Sequence, residues 1–263
     1  MWRNILKILV TGHKGFIGSN MLPMLEEQKH KVTTYEWGDS LPTVKGIDWV
    51  IHMGAISSTT EKNVEKIMLQ NYDFSCWLLN ECIANGVNFQ YSSTASIYGA
   101  NTEFTESSPV NPRTTYAWSK YLFERFADRK APILIQGFRY FNVYGPGEEH
   151  KGDQASPVHK FEKQAKKTGT IKVFEGSDKC LRDFVPVELV CKTHMKFFDV
   201  LESGIWNVGT GNATSFLDIA KQFDAAIEEI PMPDILKDSY QYYTCADMTK
   251  TNQTLEKYNA ELK

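Results

Sequence analysis

Tyr116 and Lys120 are the residues whose types and spacing most directly suggest chemistry. They stand four apart in TYAWSKYLF, whose apolar spacing predicts a helix, so both side chains share one helix face. A phenol is a poor base because its reference pKa is about 10, and a neighbouring ammonium favours the phenolate and lowers that value. Thr94 ends a strand-like run 22 residues before Tyr116, where its hydroxyl could hold the oxygen that the tyrosine deprotonates. The three side chains predict proton transfer to and from a hydroxyl group.

A glycine-rich turn near the start of the chain predicts a dinucleotide site. In VTGHKGFIGSN, Gly12, Gly15 and Gly18 recur every three residues between a β-branched apolar run and a helical pattern. Gly12 permits the tight turn, Gly15 lets the backbone approach a pyrophosphate, and Gly18 lets the helix pack on the sheet. The start of the helix then presents free N–H groups to the phosphates.

Glu36 follows Gly18 by 18 residues, at the end of the next strand-like run. A carboxylate there can accept hydrogen bonds from the adenosine ribose and repels a 2′-phosphate, which favours NAD over NADP. A solvent-facing glutamate at a strand end is the alternative interpretation. Trp37 beyond it could flank an adenine or belong to the core.

A charged turn, YGPGEEHKGDQASP, covers residues 144–157. It places His150 beside Lys151, with Glu148, Glu149 and Asp153 around them. By charge alone such a run is typical of a solvated loop.

The elements that would position these residues alternate between strands and helices. Short β-branched runs are separated by helical patterns such as FIGSNMLPMLEEQ, in which Pro23 should kink the helix or remove a hydrogen bond. This alternation predicts an α/β fold with a doubly wound parallel sheet. We expect a dinucleotide-binding Rossmann domain over residues 1–145. Residues 146–263 would form a smaller, mainly substrate-binding portion with segments that return to the main domain.

Composition narrows the classes of partner. The net charge is −3, which argues against nucleic acid as a partner. The five cysteines form no CxxC pair and, being odd in number, make a poor disulfide framework. The sequence contains no apolar stretch of about 18 residues and no cleavable leader, so we expect a soluble, reduced, cytoplasmic protein without a membrane partner or a metal.

Several longer stretches carry a resemblance to a known family. They are TGHKGFIGSN, HMGAISSTTE, YSSTASIYG, YAWSK, GFRYFNVYGPGEEHKG, FEGSDKCLRDFV, NVGTG and IPMPDILKDSYQYYTCAD, which run from residue 10 to about residue 247. With them the chain resembles the extended short-chain dehydrogenase/reductases and, among these, the ADP-heptose 6-epimerases. The resemblance implies a bound NAD or NADP and epimerisation of a nucleotide-activated sugar, most simply ADP-heptose, by transient oxidation to a ketone.

The resemblance also implies roles for individual residues. Catalysis would involve Thr94, Tyr116, Lys120 and Lys151. Cofactor contacts would come from Gly12, Gly15, Phe16, Ile17, Gly18, Glu36, Trp37, Met53, Gly54, Ala55, Ile56, Ser57, Asn71, Lys120 and Val143. Substrate contacts would come from Asn142, Asp153, Lys160, Phe174, Glu175, Gly176, Ser177, Arg182 and Tyr240.

The chain departs from the family pattern in three places. Only eleven residues separate Glu36 from Asp48, where the family has a further strand and helix that contribute to the adenine pocket, and Asp39 is the candidate substitute. Asp153 and Lys160 stand where the family has serine and histidine. The sequence given ends with NQTLEKYNAELK, before the family's closing helix.

Other functions remain open at this point. Another extended-family sugar enzyme, such as a UDP-hexose 4-epimerase, is the nearest alternative, and a non-catalytic NAD-binding protein is the second. A 4,6-dehydratase is disfavoured because Ala95 and Ser96, and not an acidic pair, follow Thr94. We expect a homo-oligomer.

Overall fold

The structure, a computed structural model, describes residues 5–58, 60–233, 241–260 and 262. Its strands are β1 Lys7–Thr11, β2 Lys31–Tyr35, β3 Trp49–His52, β4 Asn88–Thr94, β5 Ile135–Tyr140, β6 Asn142–Tyr144, β7 Thr170–Phe174, β8 Leu181–Pro186, β9 Gly204–Val208, β10 Ala213–Ser215, β11 Ala226–Ile230 and β12 Tyr243–Thr244. Its helices are α1 Phe16–Glu27, α2 Val64–Met68, α3 Phe74–Asn85, α4 Thr115–Ala127, α5 Pro157–Thr168, α6 Val187–Lys196, α7 Phe216–Ala220 and α8 Thr249–Lys257.

The central sheet has six parallel strands in the order β2-β1-β3-β4-β5-β9. Strand order reverses at β1, between β2 and β3, and in open α/β sheets ligands bind in the crevice at the carboxyl ends of such strands. The predicted fold class, a doubly wound parallel sheet of the Rossmann type, is confirmed. The division into domains at residue 145 stays a prediction.

Both faces of the sheet are buried, which explains why its central strands are almost continuously apolar. Ile8 and Val10 of β1 pack with α1 and α6 on one face. Leu9 packs with α3 on the other, where Leu78 and Leu79 are fully buried. α1 runs through Pro23 as a single helix.

One helical segment differs from the sequence-based expectation. The pattern NYDFSCWLLNECIANG predicts a helix from residue 71, whereas helical structure begins at Val64 and continues to Asn85. Residues Leu69–Asp73 within it form a π-helical turn, in which the backbone N–H of Phe74 donates to the carbonyl of Leu69. A π turn of this kind carries an extra residue relative to an α-helix, and such turns are frequent at functional sites.

The expected shortening after Glu36 is present. Residues 36–48 contain neither a helix nor a strand, so β2 is an edge of the central sheet. Most β2 side chains are accordingly exposed or half-buried, and Tyr35 is the buried one.

The later residues form two smaller sheets beside the main one. β8 pairs with β6, β10 and β12, and β7 pairs with β11. A separate apolar cluster, which includes Phe161, Ile171, Phe184 and Ile219, packs these strands against α5 and α7. β9 and α6, although they follow residue 146, belong to the layers of the main sheet. In the described part of the chain no helix is long and apolar enough to cross a membrane.

Candidate active site

A cavity of about 350 Å³ lies at the carboxyl ends of the central strands. It brings together segments that are far apart in the sequence: the glycine turn, the loop after β3, the end of β4, helix α4 and the charged turn after β6. Of the predicted site residues, its wall includes Gly12, Gly15, Phe16, Ile17, Gly18, Met53, Ala55, Ser57, Thr94, Tyr116, Lys120, Val143 and Lys151.

The glycine turn has the geometry of a phosphate cradle. Gly12 has a φ of +72°, and a Cβ there would stand 2.5 Å from the Cα of Gly54. A Cβ on Gly18 would overlap the carbonyl oxygen of Gly12. A Cβ on Gly15 would meet only that same oxygen, at 3.2 Å, so the space in front of the turn is open. Helix α1 begins at Phe16 without a side-chain cap, which leaves its first N–H groups for an anion, as a dinucleotide diphosphate requires.

A smaller adjoining cavity lies beside Glu36. Its carboxylate accepts hydrogen bonds from the backbone N–H groups of Lys14, at 3.1 Å, and Trp37, at 3.2 Å, and lies 3.9 Å from Nδ1 of His13. Trp37 is 44% exposed and meets Phe74 edge-on, so it lines the cavity and is not a core residue. Glu36, Trp37 and Gly54 thus share one wall, at the position expected for an adenosine.

Helix α4 carries Tyr116 and Lys120 into the main cavity. Thr114 caps the helix by accepting from the N–H of Ala117. The Lys120 ammonium donates to the carbonyl oxygen of Ser92 at 3.0 Å and to its hydroxyl at 3.2 Å. Burial lowers the pKa of Lys120 to about 8, against an opposing effect of Glu124.

Lys120 is not among the groups that shift the pKa of Tyr116 in this structure. Burial of the phenol raises its pKa, and the opposing contribution comes from a hydrogen bond with Thr94. Lys120 does not contribute because its ammonium is directed to Ser92.

A buried chain of hydrogen bonds connects the glycine turn to the neighbouring helices. Ser75 donates to the carbonyl oxygen of Asn71 at 2.7 Å, so its single hydroxyl proton is used and it must accept from Nε2 of His52, also at 2.7 Å. Nδ1 of His52 then accepts from the hydroxyl of Thr11 at 2.7 Å, and that oxygen accepts from the N–H of Gly54. Burial of the ring lowers the pKa of His52 to about 3, and the charge of Lys120 adds to the effect, so the imidazole is neutral.

The π turn places Asn71 at the other end of this chain. Its side-chain oxygen accepts from the N–H of Ile56, and its amide donates to the carbonyl of Ile56 and to Ser119. Ser119 in turn donates to the backbone carbonyl of Tyr116 at 2.7 Å. Asn71 and Ile56 therefore lie behind the cavity wall, where they support it.

The charged turn is not a solvated loop throughout. Glu149, His150 and Asp153 are exposed, but the side chain of Glu148 is 0% exposed. Lys151 is 20% exposed; its ammonium lies 3.3 Å from Glu148 and 4.7 Å from the centre of the Phe16 ring.

Some of the predicted substrate residues lie around a second cavity. Lys160, Phe174 and Ser177 line a second cavity of about 220 Å³, together with Phe216. Arg182 stacks over Phe216 and donates to the carbonyl oxygens of Leu181 and Gln241.

Asn142, Asp153, Glu175 and Gly176, which are also predicted substrate residues, line neither cavity. Asn142 turns toward β8 and donates to the carbonyl oxygen of Asp183. Glu175, Gly176 and Asp153 are exposed, and the Lys160 ammonium binds the backbone carbonyl of Asp153 at 2.8 Å. Tyr240 lies outside the described residues.

Sequence reasoning missed the supporting polar residues. His52, Ser75, Ser92 and Ser119 were not predicted as part of the site, and Glu148 was predicted only as one of three acids around Lys151. His52 carries a usable signal, because it is a polar residue that ends the apolar run WVI. In the described ranges, no group of three or more His, Cys, Asp or Glu side chains is arranged to hold a metal ion.

Residues 8–209 match the NAD-dependent epimerase/dehydratase family. The chain is 36% identical to an ADP-L-glycero-D-manno-heptose-6-epimerase of Brachyspira hyodysenteriae, over 92% of this chain and 90% of that protein. It is similar to the crystal structure of the Helicobacter pylori ADP-L-glycero-D-manno-heptose-6-epimerase, with a TM-score of 0.84 and 27% identity over 96% of this chain and 90% of that one. A Methanobrevibacter ruminantium UDP-N-acetylglucosamine 4-epimerase has a TM-score of 0.86 at 20% identity, over 96% of this chain and 92% of that one, which shows a shared fold.

Replacing His52 by Gln tests whether the imidazole of His52 stays uncharged in the folded protein. Below about pH 6.5 the unfolded chain binds a proton at this residue, whereas the folded chain does not until about pH 3. The free energy of unfolding should therefore fall as the pH falls through this window, by up to about 1.4 kcal/mol per pH unit for this residue. Urea unfolding of the Gln variant at constant ionic strength should show a pH slope that is shallower by that amount. Equal slopes in the two proteins would contradict the assignment.

Proposed function

This chain belongs to the NAD-dependent epimerase/dehydratase family, and we propose that it interconverts ADP-D-glycero-D-manno-heptose and ADP-L-glycero-D-manno-heptose. The observation that carries the proposal is the composition of one cavity wall. Tyr116 and Lys151, the two groups that would handle the proton, line it together with the glycine turn.

The residues of the cavity wall fit a bound NAD. The N–H groups at the start of α1 would hold the diphosphate, Glu36 the adenosine ribose, and Lys120 the nicotinamide ribose. When bound, NAD would supply reversible hydride acceptance at the carbon to be inverted, and its positive ring would favour the phenolate of Tyr116. NADP is the less favoured cofactor because Glu36 would face its 2′-phosphate.

Tyr116 removes the proton of the substrate hydroxyl, and Thr94 holds the same oxygen. A ketone forms as the carbon is oxidised, and return of the hydride to the opposite face gives the other epimer. The C–H bond broken in the first half is thus remade in the second, so the reaction is an isomerisation without net redox change.

C6 of a heptose lies outside the sugar ring, which creates the need for a second proton carrier. Rotation about the C5–C6 bond exposes the other face of the ketone while the diphosphate stays fixed, but it moves the ketone oxygen away from Tyr116. Lys151 supplies the proton in the new position. In the reverse direction the two residues exchange their roles.

We place the nucleotide end of the substrate in the second cavity. Its apolar wall, with Phe174 and Phe216, suits a base, and Arg182 suits a diphosphate. Asp153 and Lys160 differ from the family pattern, Lys160 lines this cavity and its ammonium binds the carbonyl of Asp153, so differences in sugar preference would arise there.

A homo-oligomer in the cytoplasm is part of the proposal. Val64 and Leu69 of the α2 segment, and Trp118 and Leu122 of α4, are exposed apolar side chains on helices that pack together. A second copy could cover them. All five cysteines are free, which fits a reducing compartment.

Tyr116→Phe tests the first proton carrier. It should bind NAD as the unmodified protein does in calorimetry, and lose roughly 10²–10⁴-fold in turnover, the usual contribution of general acid–base catalysis. Tyr121→Phe, on the same helix but outside the cavity, is the matched control and should keep full activity. Full activity of the Tyr116 variant would exclude the mechanism.

Glu36→Gln tests the choice of cofactor. Calorimetry on the unmodified protein should show NADP binding at least about tenfold more weakly than NAD, which corresponds to about 1.4 kcal/mol. The Gln variant should narrow this gap because the charge that repels the 2′-phosphate is gone, whereas Glu27→Gln, at an exposed glutamate of α1, should preserve it. Tighter binding of NADP to the unmodified protein would refute the role of Glu36.

Lys151→Met tests the second proton carrier. It should bind NAD and the nucleotide-sugar normally and lose most epimerisation in both directions, while one epimer is still oxidised through Tyr116. The absorbance of the reduced cofactor would report that partial reaction. Lys163→Met, an exposed lysine of α5, serves as the control. Epimerisation by the Lys151 variant at the unmodified rate would favour a 4-epimerase, which needs only one proton carrier because the whole sugar ring can turn over.

A further inference from the structure

Glu148 is a fully buried carboxylate next to the second proton carrier. We infer that it is a positioning residue, which holds the Lys151 ammonium at the cavity wall by tying together the two ends of the turn that carries it. This inference rests on the proposed role of Lys151.

The carboxylate of Glu148 is surrounded by donors. One oxygen accepts from the N–H of Gly145 at 3.2 Å and from the hydroxyl of Ser156 at 2.7 Å. The other accepts from the N–H of Ser156 at 2.6 Å and from the ammonium of Lys151 at 3.3 Å. A carboxylate offers about four lone-pair positions, so all are used. This full set of partners offsets the cost of burying the charge.

These contacts close the turn into a loop of fixed shape. Gly145 and Ser156 lie at its two ends, and both bind the same side chain. Ser156 also caps helix α5 by accepting from the N–H of His159. On the other side, Asn20 of α1 donates to the carbonyl of Pro146 at 2.9 Å. The turn is thus fastened to α5 and to the helix that begins at the glycine cradle.

Lys151 is held from two directions within this loop. Glu148 lies on one side of its ammonium, and the face of the Phe16 ring lies on the other, which is a favourable place for a cation. The nearby acids Glu149 and Asp153 are exposed, and in the described part of the chain the Lys151 ammonium reaches no carboxylate other than that of Glu148 within 4.0 Å. A long lysine side chain has many rotamers, so these contacts select one that faces the cavity.

The consequence concerns one half of the reaction. A misplaced catalytic group can cost about 10²-fold in rate, whereas binding of the cofactor and proton removal by Tyr116 do not involve this turn directly. Loss of the Glu148 charge should therefore slow the step that uses Lys151 and spare the step that uses Tyr116.

The experiment compares Glu148→Gln with Glu149→Gln, the same change at the exposed neighbour, using the two ADP-heptose epimers and NAD. Glu148→Gln should reduce kcat for epimerisation roughly 100-fold with little change in KM. Single-turnover oxidation of the epimer served by Tyr116 should stay within about threefold of the unmodified rate, and the reduced cofactor should accumulate. Glu149→Gln should behave as the unmodified protein. Equal loss in both half-reactions, or no loss in epimerisation, would overturn the inference.

A double-mutant cycle with Lys151→Met distinguishes a failure of this inference from a failure of the proposed function. If Glu148 acts through Lys151, adding Glu148→Gln to the Met variant should cause no further loss of epimerisation or of the partial oxidation. The same loss in both backgrounds would assign Glu148 a purely structural role and overturn the inference. Unmodified activity of Lys151→Met alone would instead refute the second proton carrier.

Ser156→Ala covers the case in which Glu148→Gln does not fold. It removes one donor to the carboxylate and keeps the charge, and thermal unfolding would verify that it is folded. It should slow only the Lys151-dependent step, and its effect should vanish in the Lys151→Met background. Persistence of the effect in that background would count against the inference.

Discussion

The direction of a single buried chain of hydrogen bonds constrains the rest of the site. A buried donor or acceptor without a hydrogen-bond partner costs about 1–3 kcal/mol of stability. Each donor in these hydrogen bonds therefore needs an acceptor, and each acceptor needs a donor. Because Ser75 donates to a backbone carbonyl, the tautomer of His52 and the orientation of Thr11 follow without further choice. The side-chain amide of Asn71 donates to Ser119, and Ser119 donates to the backbone carbonyl of Tyr116 in α4. These hydrogen bonds thereby fix the position of the glycine turn relative to Tyr116.

The parallel pairing of β1 with β3 explains how these buried hydrogen bonds can form. Thr11 and His52 are direct register partners at the carboxyl ends of β1 and β3, where side chains from neighbouring strands meet. The sheet is buried on both faces, so polar side chains near these ends are removed from water and satisfy one another. The missing strand and helix after Glu36 leave this arrangement untouched, because β2 lies on the far side of β1.

Local patterns in the sequence predicted what depends on local geometry. The glycine turn, the spacing of Tyr116 and Lys120 and the alternation of elements each follow from helix or strand periodicity. Burial depends on the tertiary fold, and there sequence reasoning failed. It treated Glu148 like its exposed neighbour Glu149, and it did not predict that Ser92 binds the ammonium of Lys120 or that burial raises the pKa of Tyr116. The sequence also placed the start of the α2–α3 segment too late, since it gave no sign of a π turn.

That π turn has a consequence for how the protein can vary over evolution. An extra residue in a helix advances everything beyond it by about 100° and 1.5 Å. Loss of one residue between Leu69 and Asp73 would restore a regular helix, with better backbone geometry, and would turn Asn71 away from Ile56. A single-residue deletion in this segment would therefore remove the contacts of Asn71 with Ile56 even though it left every side chain chemically unchanged.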